Sequence, residues 1–231
     1  MRILASVMLV MPALSVCSHA QTWTFDRLDS LGGRLTTVVG HPRLIDTPAG
    51  KAVEFDGVQD ALFVAINPLA GAQVFTWEAI FRPDRGGALA QRFFHLQEQD
   101  EQTALDTANR LLMEIRVLDD RWCLDTYAHS GSGAQTLLNR ELLHPLGVWH
   151  HVALVYDGKN LRNYVNGTLE ESATVQLPPI GAGHTSVGVR IDRKDYFKGA
   201  ILLARMTPRA LPDSEFLKVP ASLNPNSLKP K

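Results

Sequence analysis

The sequence predicts an all-β protein, an antiparallel sandwich of two sheets. Short β-rich runs recur along the chain with turn signals between them. No long helical pattern intervenes, so the crossover helices of a parallel sheet have no source. Three of the turns can also be assigned as hairpins from their own residues. The runs fall at residues 22–25, 34–39, 52–55, 61–66, 75–82, 92–97, 111–117, 121–127, 149–156, 161–166, 168–175, 186–191 and 200–206. Residues 136–143 and 213–218 are the two places where a turn or two of helix fits.

Ahead of the first run lies a different kind of segment. Arg2 is followed by a nearly unbroken apolar stretch over 3–16, and Ser18-His19-Ala20 places small residues at −3 and −1 before Gln21. This is the pattern of a cleavable signal peptide over residues 1–20, with an apolar stretch too short to span a membrane. Leu14-Ser15-Val16-Cys17 approaches a lipobox, but Val16 stands where a small residue is expected. The expectation is an exported protein, periplasmic or extracellular, with one domain over residues 21–218. A frayed tail over 219–231, carrying Pro220, Pro225 and Pro230, would follow. No later stretch reaches the length of a spanning helix.

Composition narrows the classes further. Of 231 residues, 45% are hydrophobic, too many for wholesale disorder. The 23 basic and 24 acidic side chains supply no positive field, which excludes a generally basic nucleic-acid binder. Cys17 leaves with the leader, so Cys123 remains as a lone thiol and no intradomain disulfide can form.

The hairpins fix register. Asp119-Asp120, read as a two-residue loop, sets Val117 opposite Trp122, Ile115 opposite Leu124 and Met113 opposite Thr126. That apolar face belongs to the core. The other face sets Arg116 opposite Cys123, Glu114 opposite Asp125 and Leu112 opposite Tyr127. A second hairpin turns at residues 157–160. Its first strand is apolar on both faces, Val152 and Leu154 on one and Ala153 and Val155 on the other, as in a central strand covered from both sides. Asn166-Gly167 closes the third hairpin and is expected to oppose Arg162 to Glu171.

The run Trp149-His150-His151-Val152-Ala153-Leu154-Val155-Tyr156-Asp157-Gly158, followed by Leu161-Arg162-Asn163-Tyr164-Val165-Asn166-Gly167, resembles the laminin G-like domains of the concanavalin A-like lectin/glucanase superfamily. Ala52-Val53-Glu54-Phe55-Asp56-Gly57, Phe75-Thr76-Trp77-Glu78-Ala79-Ile80-Phe81 and Phe197-Lys198-Gly199-Ala200-Ile201 are similar to further strands of that family, in the right order. The resemblance implies a jelly-roll sandwich of a dozen or so strands with one concave sheet. It spans sugar-binding modules, protein-binding modules, glycoside hydrolases and lyases, so function has to be read from the residues.

A retaining glycosidase needs two carboxylates about 5–5.5 Å apart. Glucanases of the superfamily carry them in a Glu-x-Asp-x-Glu type pattern on one strand. The nearest run here, Glu98-Gln99-Asp100-Glu101, breaks the alternation and reads as a polar solvated loop. Glu114 and Asp125 stand out instead, since like charges directly opposite on paired strands destabilise the sheet unless something offsets them. Arg116 on the same face is the structural answer; a cation, a shared proton or sugar hydroxyls are functional ones. With Tyr127 beside them, Glu114, Arg116 and Asp125 form the candidate ligand-binding face. No residue is assigned a catalytic role.

Other motifs are absent. There is no His-x-x-x-His, cysteine pair, phosphate loop or Gly-x-Ser-x-Gly elbow, and His150 and His151 alternate across a strand, so one ion cannot take both. His151 reads as a packing or hydrogen-bonding residue. The resemblance admits calcium, with Asp26, Asp56 and Asp60 as candidate ligands by position. Leu202-Leu203 stands where many relatives are acidic, which weighs against it, and Asp56-Gly57 is equally well a turn. The expected function is a non-catalytic module binding a glycan or polysaccharide on the concave sheet. The alternatives are a glycoside hydrolase or polysaccharide lyase, or a module that binds a protein. Nucleic acid is not expected as a partner.

Overall fold

The structure, a computed structural model, describes residues 19–223; residues 1–18 of the expected signal peptide and the tail beyond 223 lie outside the described residues. Two antiparallel sheets stack as a sandwich. Strands are numbered in chain order. The first sheet runs β15 (Thr168–Thr174), β14 (Asn160–Val165), β13 (His150–Tyr156), β7 (Phe75–Pro83), β17 (Lys198–Thr207), β5 (Gly50–Asp56) and β4 (Arg43–Thr47), with β1 (Gln21–Thr24) also pairing β17. The second runs β11 (Gly133–Leu138), β10 (Arg121–Ser130), β9 (Asp106–Leu118), β8 (Ala90–Gln99), β16 (Gly183–Val187), β6 (Ala61–Val64), β3 (Arg34–Val39) and β2 (Ser30–Leu31), with β12 (His144–Pro145) pairing β10. No α-helix occurs among the described residues.

The core lies between the sheets. Period-two alternation sends Trp77, Ala79 and Phe81 of β7 inward, together with Met113 and Ile115 of β9 and Val152 and Leu154 of β13. Aromatic rings lock the layers. Phe81 stacks on Phe93 at 4.4 Å, and Trp77 meets Phe94 edge-on at 5.3 Å. Such pairs contribute about 0.5–1.5 kcal/mol each beyond the area they bury. The chain has one thiol among its described residues, Cys123, and it is buried, so burial of both sheets has to supply the stability.

The predicted registers can be read strand by strand. Asp125 faces Glu114, Trp122 faces Val117 and Tyr127 faces Leu112, so Asp119-Asp120 is the two-residue turn expected. Tyr156 faces Leu161 across the second hairpin, and β13 is buried throughout. Val165 faces Thr168 around Asn166-Gly167, but a bulge then shifts the register between Asn163 and Tyr164. Glu171 therefore faces Asn163, and the expected Arg162–Glu171 pair does not form; Arg162 bonds Asp157 at 2.6 Å.

Three further expectations are corrected. Residues 136–143 are not helical, because 133–138 pair with β10 as the edge strand β11. Glu98 and Gln99 complete β8 and do not open a loop; Glu98 accepts from Thr107 and Asn109, and the turn begins only at Asp100. The tail is not frayed from 219: Val219 and Leu223 pack with Ile80, Trp149 and Leu202.

This last contact makes the two outer faces unlike. Leu211 and Phe216 cover Ala153 and Val155, and Leu217, Val219 and Leu223 cover Ile80, so the C-terminal segment seals much of the outer face of the first sheet. The outer face of the second sheet around β8–β11 carries a polar row, which the loop after β16 covers only along β8, through Ile191 on His95 and Asp195 on Arg92.

Candidate functional site

The row begins with register. Arg92 on β8 lies opposite Glu114 on β9, and Glu114 lies opposite Asp125 on β10. One step toward the other end, His95, Leu112, Tyr127 and Thr136 line up across β8, β9, β10 and β11. Alternation along β9 adds Arg116 at one end and Arg110 at the other.

Two guanidiniums neutralise the opposed carboxylates. Arg116 donates Nε to Asp125 Oδ2 at 2.7 Å and Nη2 to Glu114 Oε2 at 3.1 Å. Arg92 Nε lies 3.1 Å from the same Glu114 oxygen, and Arg92 also pairs with Asp195 from the loop after β16. Glu114 and Asp125 side chains are only 5% and 2% exposed. Burial first, and the Asp125 charge second, push the Glu114 carboxyl up to about 7, against the pull of Arg92 and Arg116. Asp125 Oδ1 has no hydrogen-bond partner.

These side chains line a recess of about 210 Å³ with Arg110, Tyr127, Thr136 and Arg190. A second hollow of about 510 Å³ adjoins it through Arg116, Asp125 and Thr136 and continues toward Leu89, Leu118 and Arg140. The expected residues Glu114, Arg116, Asp125 and Tyr127 thus come together. Tyr127 is already partnered, because the Arg110 guanidinium lies over its ring at 4.9 Å. Arg92, Arg110 and Arg190 were missed. Arg110 was within reach of period-two counting back from Glu114. Register shifts along β8 hid Arg92, and Arg190 lies beyond β16 in a loop.

The calcium candidates are not gathered into one cluster. Asp56 Oδ1 accepts the N–H groups of Val58, Gln59 and Asp60, while Asp60 accepts those of His41 and Asp56. Both carboxylates hold a turn. Asp26 bonds Arg27 at 3.0 Å, and no cluster of three or more His, Cys, Asp or Glu suited to a metal occurs among the described residues.

His150 and His151 both have partners within the fold. His150 faces Trp122 at 5.0 Å and bonds Pro145 O. His151 points the other way, with Nε2 3.0 Å from Glu78 Oε1. Glu78 is fully buried and also takes Arg205 Nε at 2.7 Å and the Leu217 N–H at 2.7 Å, which ties the C-terminal segment to the sheet.

A family profile described as the concanavalin A-like lectin/glucanases superfamily, laminin G type, matches residues 56–216. No curated protein matches the sequence. Among solved structures, domain 4 of AbnA, a GH43 extracellular arabinanase from Geobacillus stearothermophilus solved in complex with arabinotriose, is similar at 20% identity and a TM-score of 0.61, over 84% of this chain and 94% of that one. The binding domain of Paraclostridial Mosquitocidal Protein 1 is similar at 12% identity and a TM-score of 0.58, over 85% of this chain and 50% of that one. The botulinum neurotoxin type G receptor binding domain is similar at 12% identity and 0.58, over 86% and 50%. This chain spans about half of those two toxin domains. Identities this low establish the shared fold and nothing finer.

Proposed function

The chain belongs to the concanavalin A-like lectin/glucanase superfamily, and from that premise we propose that it is an exported, non-catalytic module that binds a glycan on the outer face of β8–β11. One observation carries the reading. A like-charged pair that would destabilise a bare sheet is buried here, bracketed by two arginines, and borders a recess beside the loop that follows β16. Guanidiniums, carboxylates and a hydroxyl in one shallow recess suit sugar hydroxyls, which both donate and accept. The arabinotriose bound by the AbnA domain makes an oligosaccharide the class to test first.

The test is a glycan array with the purified chain, with and without calcium, repeated with Thr136→Val and Arg116→Gln after circular dichroism confirms that each is folded. The expected result is retention by at least one polysaccharide, weakened about tenfold or more by either substitution. Silence across the array, or retention indifferent to both folded variants, overturns the reading. Release of reducing ends from a bound polysaccharide overturns its non-catalytic part.

A further inference from the structure

The charges in the recess are layered. Glu114 and Asp125 lie at the bottom, 5% and 2% exposed, whereas Arg92, Arg116 and Arg190 are 15%, 24% and 33% exposed. A ligand entering from solvent meets guanidinium before it meets carboxylate. Four arginines line the recess against two acids. The other nearby acids, Asp192 and Asp195, do not line it; they anchor Arg190 and Arg92 from the loop after β16.

Of the four cations, one holds no carboxylate and a second holds one only loosely. Arg110 donates Nη1 to Ala108 O and lies over Tyr127, and its Nε is buried without an acceptor. Arg190 reaches Asp192 only at 3.5 Å. Buried His95 nearby reports the resulting field: burial, then the charges of Arg190 and Arg110, hold its imidazole down to about 3. An anion would complete this arrangement. A planar guanidinium offers carboxylate or sulfate oxygens two parallel N–H donors, and four of them in a recess of about 210 Å³ leave room for roughly one sugar ring.

Building on the glycan-binding reading of the same face, we propose that the ligand is an acidic glycan, one whose sugars carry carboxylate or sulfate groups, held by Arg92, Arg110, Arg116 and Arg190. Arg110 and Arg190 discriminate acidic from neutral chains, while the Glu114–Asp125 pair fixes Arg92 and Arg116 from below.

The experiment compares polygalacturonate with its methyl-esterified form, a matched pair differing in charge, and dextran sulfate with dextran, by affinity electrophoresis of the intact mature chain. Binding of polygalacturonate or dextran sulfate, at least tenfold stronger than its neutral counterpart and weakened several-fold by Arg110→Gln and Arg190→Gln, supports the proposal. The arm that binds identifies the acidic group. Loss of preference rather than of fold is checked by an unchanged melting temperature in both variants. Equal retention of charged and neutral partners, or a charge preference that survives both variants, overturns the acidic specificity and leaves the glycan reading standing. If neither pair is retained and the wider array is silent, both fall.

Discussion

Glu114 and Asp125 face each other across β9 and β10, both almost wholly buried, with Arg116 joined to each. Burial and the Asp125 charge raise the folded Glu114 carboxyl to about 7, above the roughly 4.3 of an unfolded glutamate. The folded state therefore holds a proton that the unfolded chain has already released. The contribution to stability is full below about pH 4.3 and is lost as pH rises through about 7, on the order of 3–4 kcal/mol in all. Urea unfolding of the wild type and Glu114→Gln across pH 4.5–8 reads this directly. The difference between the two chains should shift in favour of the variant as pH rises, and a pH-independent difference would remove the argument.

Arg116 is the element that makes the pair tolerable. Removing one partner of a buried charge network typically costs about 3–5 kcal/mol, because the remaining charges stay desolvated. Arg116→Gln is expected toward the lower part of that range, since Arg92 still reaches Glu114. Asp125→Asn in the same chain should recover most of the loss by removing the facing charge. Chemical denaturation of the single and double variants forms the test, and additive losses would show that Arg116 acts elsewhere.

The registers explain how much of this site was legible. A two-residue turn at Asp119-Asp120 fixes parity, and parity alone put Glu114 opposite Asp125 and Arg116 beside them. Where the ladder is irregular the same arithmetic failed. Bulges along β8 conceal that Arg92 faces Glu114, and the bulge in β15 moved Glu171 away from Arg162. Edge strand β11 reads as a helical turn in sequence because Thr136, Leu137 and Leu138 carry no alternation of their own; pairing with β10 decides them. Arg190 enters the recess from a loop, and no local pattern announces a loop's path over a sheet. Asp56 and Asp60 show the converse, candidate ligands by position of which Asp56 Oδ1 and both Asp60 oxygens accept backbone N–H groups.

Glu78 is the corresponding hub on the first sheet, fully buried and accepting from His151, Arg205 and the Leu217 N–H. Glu78→Ala leaves His151 Nε2 without its acceptor and Arg205 with only the Glu215 carbonyl, and loosens the segment that covers Ala153 and Val155. A loss of about 3–5 kcal/mol is expected, with new tryptic cleavage after Arg209 or Lys218 before global unfolding. Limited trypsin digestion followed by mass spectrometry would show it; cleavage unchanged from wild type would place the anchor in the apolar contacts instead.

Cys123 sits on the same outer face as Asp125 yet is wholly buried, and burial, then the Asp125 charge, push its thiol up. A thiolate is the reactive form, so the folded chain should react slowly with an aromatic disulfide reagent at pH 8. Unfolding in guanidinium should expose the Cys123 thiol and let it react at once. Rapid labelling of the native protein would mean that the β9–β10 ladder opens readily.

Two glycines separate conformational strain from collision. Asn166 and Gly167 have φ of +51° and +81°, the pair of left-handed residues that a tight hairpin turn requires, and a Cβ on Gly167 would meet nothing within 4 Å. Gly167→Ala should therefore cost only the left-handed penalty, about 1–2 kcal/mol. Gly32 has φ of +57°, but its Cβ would fall within the indole of Trp23, which is buried in the core. Gly32→Ala adds an overpacking penalty of about 1–3 kcal/mol to the same strain. Melting temperatures should rank wild type above Gly167→Ala above Gly32→Ala, and tryptophan fluorescence should shift in the last variant alone. Equal destabilisation of the two would show that Trp23 yields to the added methyl without loss.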